Sequence, residues 1–277
     1  MKAYSAIHTP EPGNEFVNQP RQSARRGLDR LIATLGIEDL LNTKIPVDLE
    51  KLGRHFGARS IKKVNIPAAG MLVPIDNQFL ILVNKNDWPM RQRFSSAHEI
   101  AHAAIDPKYQ RVHRRLPLPS KSRLERTCEN LAAMFLMPNP SFSNFLQSYG
   151  PSLLTITILA RLFVTSIQAT AIRFVDVIDE PCMLIVSKLR GGSSGRNLRI
   201  VWSHQNTVKP TGKPMYFVPR NKSIQLTTAR LAFHSGQVQS DVEEINIGDL
   251  QTKARTESKS FGRGDNRYVL TLVFPNG

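Results

Sequence analysis

RQRFSSAHEIAHAAI, residues 91–105, sets two histidines four apart with a glutamate between them, in a run otherwise rich in Ala, Ile and Ser. The spacing predicts a helix on which i and i+4 share a face, with Cβ atoms roughly 5–6 Å apart. His98 and His102 can then offer ring nitrogens to one cation, while Glu99 stays at the rim of that face. Two imidazoles and an adjacent glutamate are the ligands and general base of an HExxH zincin centre. So short a pattern also arises by accident. The surround argues for the metal: Phe94, Ala97, Ala101, Ala104 and Ile105 make the segment apolar. Imidazoles buried there without partners would be costly, and an ion supplies the partner.

A third ligand has to come from elsewhere. Ile105 and Lys108 occupy the Gly and His positions of the longer HExxHxxGxxH form, which excludes a metzincin. The next helical stretch, RLERTCENLAAMFLMP (123–138), carries Glu125 and Glu129 on one face, beside a core stripe of Leu124, Cys128, Leu131 and Phe135. Either carboxylate could complete a two-His, one-Glu site with a position open to water. Each also has an ordinary reading. Ser122 to Glu125 fits a capping box, and Glu129 fits a solvated helix face.

Outward from these helices, residues 24–36 and the VDLEKLGRHFG segment after Pro46 read as helices closed by Gly36 and Gly57. GMLVPIDNQFLILVN (70–84) reads as a hairpin around Asp76-Asn77. Asp87 and Pro89 mark the start of the HEIAH helix, and Asp106-Pro107 its end. Two or three helices fit 141–177, with a helix–turn–helix-like pattern over 154–174. After Pro181, MLIVS, LRIVW, MYFV, IQLTTARLAF and YVLTLVF read as β-type runs. The expectation is an α+β chain: a flexible arm over 1–23, a mostly helical zincin-like domain with a small β-hairpin over 24–178, and a β-rich C-terminal domain over 179–277.

Of the 277 residues 41% are hydrophobic, enough for a real core, and the net charge is +15. That charge favours anionic partners, nucleic acid above all. Residues 181–240 hold nine Lys and Arg and no acid, and the 108–123 loop holds six and no acid. Neither has the interleaved aromatics of a single-strand platform. The loop joins the two candidate metal-bearing helices, so Arg111, Arg114 and Arg115 are candidates for gripping a substrate. Cys128 and Cys182 are too few and too far apart for a disulfide framework or a cysteine zinc knuckle. The start of the chain has no basic-then-apolar leader. The most apolar later run contains Arg161 and Arg173 and makes a poor bilayer span, so a cytoplasmic, non-membrane protein is expected. A rival reading is a DNA-binding regulator that uses 154–174. Its second helix opens with Thr165-Ser166-Ile167-Gln168 and has Arg173 late, a poor start for a recognition helix.

RQRFSSAHEIAHAAI followed by ERTCENLAAMFLMP resembles the ImmA/IrrE family of metallo-endopeptidases. In that family an RxRF-type lead precedes the HExxH helix, and the first glutamate of the helix ending in Met-Pro is the third ligand. Aligned on Met-Pro, that glutamate is Glu125, and Glu129 stands where Asn is usual. Cys128 replaces the usual Ala, Leu131 the usual Phe and Phe135 the usual Leu. IPVDLEKLGRHFGA and GMLVP also resemble the family, so the likeness spans roughly 45–175. It implies His98, His102 and Glu125 as ligands of zinc, or of manganese, which accepts the same donors. It implies Glu99 as general base for water attack on a peptide carbonyl. An oxyanion partner is expected too, and His113, His204 and His234 are the candidates for it. The resemblance also implies a helix-turn-helix repressor as substrate, whose cleavage releases stress-response or mobile-element genes. Long members carry a GAF-like sensor after the protease domain, with which the strand-rich 181–277 is compatible. The intact HExxH and Glu125 argue against a non-proteolytic sensor.

Overall fold

In the computed structural model, residues 21–105, 113–114, 123–192, 195–206 and 216–275 are described. The arm expected over 1–23 lies outside them, apart from its last three residues, which begin helix α1 (Arg21–Leu35). Helices α2 (Glu38–Asn42) and α3 (Leu49–His55) follow, and Asp48 caps α3 by accepting the Lys51 N–H at 3.0 Å.

The first sheet has the order β1-β3-β2-β4: β1 (Ala58–Val64), β3 (Gln78–Asn84), β2 (Gly70–Ile75) and β4 (His113–Arg114). β1 runs parallel to β3, and the other pairs are antiparallel. The expected hairpin is present, with Asp76 in the left-handed region its tight turn requires (φ 52). Phe79, Ile81 and Val83 alternate onto the buried face. Against this sheet lies α4 (Pro89–Ile105), with α5 (Arg123–Leu136) packed along it. Helices α6 (Asn139–Tyr149), α7 (Leu153–Phe163) and α8 (Ile167–Val177) complete this part, with Ser152 and Ser166 capping the last two. The α7–α8 pair bends by 115°, and its Ile156, Leu159, Phe163 and Phe174 are fully buried. Among the described residues no single helix is long and apolar enough to cross a membrane, although this bent pair passes on length and composition.

A second, five-stranded antiparallel sheet has the order β6-β5-β9-β8-β7: β6 (Gly195–Gln205), β5 (Met183–Gly192), β9 (Tyr268–Phe274), β8 (Leu250–Phe261) and β7 (Gln239–Ile247). MLIVS, LRIVW and YVLTLVF are its strands, but two other runs differ from expectation. Of MYFV, residues 216–218 form no strand; the Gln205 side chain takes both the Tyr216 N–H and carbonyl, and Asp249 takes the Phe217 N–H. IQLTTARLAF supplies a helix, α9 (Thr227–Ser235). Ala229 and Ala232 bury one face of it on the sheet, and the Glu243 carboxylate accepts the Thr227 and Thr228 N–H groups at its start. β7 and most of β8 read as polar and were not expected as strands.

The second sheet is buried on both faces. Leu184, Val186, Leu270, Leu272 and Phe274 join the core that also holds α4, α5, α7 and α8. Met183, Ile185, Val269 and Val273 point the other way, onto α9.

Candidate metal centre

Helix α4 is fixed at its N-terminal half by its own polar side chains. Arg93 donates to the Val47 carbonyl at 2.6 Å, and Gln92 donates to the Lys85 and Asp87 carbonyls at 3.0 and 2.7 Å. Asp87 also pairs with Arg91 at 3.3 Å. The following residues, Ser95 to His102, are all buried, so the HEIAH segment faces the interior between the first sheet and α5.

There the histidine rings converge. His98 Nε2 lies 2.9 Å from His102 Nε2, and both face the carboxylate of Glu125: Oε2 is 3.3 Å from His98 and Oε1 is 3.3 Å from His102. All three donor atoms fall within 4.8 Å of one another. The histidines are 0% and 4% exposed, while the Glu125 side chain keeps 28%. Hydrogen bonds from His102, then from His98, hold the Glu125 carboxyl well below the usual carboxylate range despite the opposing effect of burial.

These residues fit a divalent ion. Two imidazole nitrogens and an ionised carboxylate are a borderline donor set, and bonds of ~2.0–2.1 Å in a tetrahedron would set donors ~3.3 Å apart. Both His–Glu edges have that length, and the His–His edge is a few tenths shorter. Of the two candidate glutamates, Glu125 is the one brought to the histidines; Glu129 is not among the converging donors.

Glu99, 2% exposed, sits beside the pair under the first residue of β2. A Cβ on Gly70 would lie 2.9 Å from Glu99 Oε1 and 3.1 Å from its Cγ. Glycine therefore lets the strand backbone close over the carboxylate. On the far side of the site, the Cys128 thiol lies 3.4 Å from His102 Nδ1. Sequence reasoning passed over both residues, taking Gly70 as the start of a strand and Cys128 as packing. A glycine opening a buried strand was the available signal for the first.

The other candidates are dispersed. Arg111 and Arg115 lie outside the described residues. Of His113 and Arg114 the backbone is described: β4 pairs with Leu72 and Met71 of β2, next to Gly70. His204 bonds Asp176 at 2.8 Å, and His234 lies on α9 beside Phe233; neither joins the cluster. Arg173, on the helix of the DNA-binding reading, is 7% exposed and donates to Asn139 at 2.7 Å.

Residues 53–175 match a peptidase family described as the IrrE N-terminal-like domain. The chain is 36% identical over 89 residues to the radiation response metalloprotease IrrE of Deinococcus radiodurans, covering 30% of this chain and 26% of that protein. It thus spans about a quarter of the length of this curated relative. A Mycobacterium tuberculosis transcriptional regulator superposes with a TM-score of 0.57 over 92% of this chain and 76% of its own. At 14% identity that likeness concerns the fold alone.

Proposed function

Since the chain belongs, through residues 53–175, to the ImmA/IrrE family of metallopeptidases, we propose that it is a metal-dependent endopeptidase of narrow specificity. Its substrate in this reading is a helix-turn-helix transcriptional repressor, cleaved in the cytoplasm to relieve repression of stress-response or mobile-element genes. The observation that carries the reading is the convergence of His98, His102 and Glu125 onto one point beside a buried Glu99.

His98, His102 and Glu125 would hold a divalent ion, zinc by default. When bound, such an ion supplies Lewis acidity, bringing the pKa of water toward ~7 and polarising a carbonyl. The protein's own part is proton transfer and orientation. Glu99 takes a proton from water and returns it to the leaving amine. Its carboxylate is held for that by burial in α4 and by the backbone of β2 at Gly70. Substrate choice falls in this reading to the surface beside the site, with Arg111, Arg114 and Arg115 as its candidates; the backbone of Arg114 pairs with Met71 of β2. A GAF-like sensory role for the second sheet belongs to the same proposal. Burial of Arg173 weighs against α8 as a recognition helix.

The test is to incubate the metal-loaded protein with the helix-turn-helix repressor encoded nearest to it and to map new termini by mass spectrometry. Cleavage by the wild type, with Glu99→Gln keeping its metal but losing 10²-fold or more in rate, is the expected result on the scale of losing a general base. Unimpaired cleavage by fully loaded Glu99→Gln would refute the mechanism.

A further inference from the structure

His102 is held at both ends by one helix. Glu125 Oε1 stands 3.3 Å from its Nε2, and Cys128 Sγ stands 3.4 Å from its Nδ1. The two residues are three apart on α5 and so share a face of it. The imidazole of α4 lies between them as a spacer, with the thiol completely buried. Nδ1 and Nε2 flank the same ring carbon and direct their lone pairs apart, and the Cys128 sulfur is not among the donors that converge with Nε2, so it is not read as a ligand. What it can do is decide which nitrogen carries the proton. A neutral imidazole has one N–H and one lone pair. If the sulfur accepts from Nδ1–H, the lone pair is left on Nε2, where His98 and Glu125 converge. Metal-binding histidines usually donate their second nitrogen to a carboxylate, a carbonyl or water, and losing that partner typically lowers metal affinity 10–100-fold.

Building on the metal-centre reading above, we infer that Cys128 is a positioning residue which accepts the His102 Nδ1–H and fixes that ring in the metal-competent tautomer. The thiol's job is thus electronic as well as steric. A sulfur acceptor is weaker than a carboxylate, so it orients the ring without adding a second negative charge to the buried site.

The experiment measures zinc affinity by competition with a chromophoric chelator, for the full-length wild type and for Cys128→Ala, Cys128→Val and Cys128→Ser. Thermal unfolding of each metal-free protein serves as the control for folding. Wild-type and Ser proteins should bind alike, because a hydroxyl also accepts the N–H. Ala and Val should each bind 10–100-fold more weakly, although Val fills the space as well as Ser does. If Ala fails to fold, Val and Ser carry the comparison. Val or Ala binding as tightly as wild type would overturn the assignment and make Cys128 packing only. So would Ser falling with them. A wild type that binds no zinc would instead remove the metal-centre reading, and this one with it.

Discussion

Gly70→Ala is the perturbation that most directly probes how Glu99 is placed. Gly70 does not have the positive φ that would itself oppose a side chain, so the cost of the change is the methyl group's own contacts. That methyl would stand 2.9, 3.1 and 3.3 Å from Oε1, Cγ and Cδ of Glu99, against ~3.5–4.0 Å for ordinary contact. The carboxylate or the strand must therefore yield by roughly 0.5–1 Å. The strand is held on both sides, by the β3 pairing and by β4. The glutamate side chain is the softer party, so it moves. Displacing a catalytic group by about 1 Å can cost 10²-fold, which bounds the effect. We expect kcat for repressor cleavage to fall about 10- to 100-fold, with bound metal and melting temperature near wild type, since no ligand is touched. Single-turnover cleavage and elemental analysis on one preparation provide the check. A variant within twofold of wild-type kcat would show that the β2 backbone does not set the position of Glu99. Loss of metal would show that the strain passed to the ligands instead.

His98→Ala or His102→Ala should abolish the ion, and Glu125→Ala should weaken it strongly, by elemental analysis; equal metal in wild type and His102→Ala would dispose of the site. At the second sheet, burial pushes the Glu243 carboxyl up, but hydrogen bonds from Thr228, Thr256 and the α9 N-terminus together hold it below its usual range. A depressed carboxylate stabilises the fold above its unfolded pKa and that contribution is lost as pH falls through the lower folded value. The wild-type melting temperature should therefore decline with acidification below about pH 4.3, and Glu243→Ala, roughly 1–2 kcal/mol less stable through loss of a helix cap, should decline less steeply. Replacing Arg111, Arg114 and Arg115 together by Ser should raise KM for the repressor and shrink its salt dependence, with metal content unchanged; loss of duplex-DNA binding with normal cleavage would favour a nucleic-acid role for that loop.

The centre was legible where one helix carries the information. His98 and His102 meet because i and i+4 always share a helical face, and the hairpin after Gly70 follows from Asp76-Asn77. Choosing Glu125 over Glu129 needed the family pattern, because spacing alone put both on one face. What could not be read depends on tertiary partners. IQLTTARLAF has the Thr and Ile content of a strand, yet it becomes α9 because Glu243, on a distant strand, satisfies its first N–H groups. β8 reads as polar because its hydroxyls are consumed internally: Thr256 bonds Glu243 at 2.7 Å and Ser258 bonds Thr271 at 2.8 Å. Gly70 and Cys128 matter only through residues on other elements, which no local periodicity encodes.

The double-sided second sheet has a mechanical consequence. Along β8, Ala254, Thr256 and Ser258 serve the α9 side, while the residues between them serve the other. Arg255 lies 3.7 Å over the Phe274 ring and pairs with Glu180, and Glu257 meets the Leu153 N–H at the start of α7. A strand built this way cannot slip by one residue without exchanging the two sets. Neither core can melt while the other keeps β8 in register. The family match spans residues 53–175, whereas the core it contributes to continues into the strands that follow. Calorimetry should accordingly show one transition whose van't Hoff and calorimetric enthalpies agree, and a chain cut after Val177 should lose the helical part's melting transition along with the sheet.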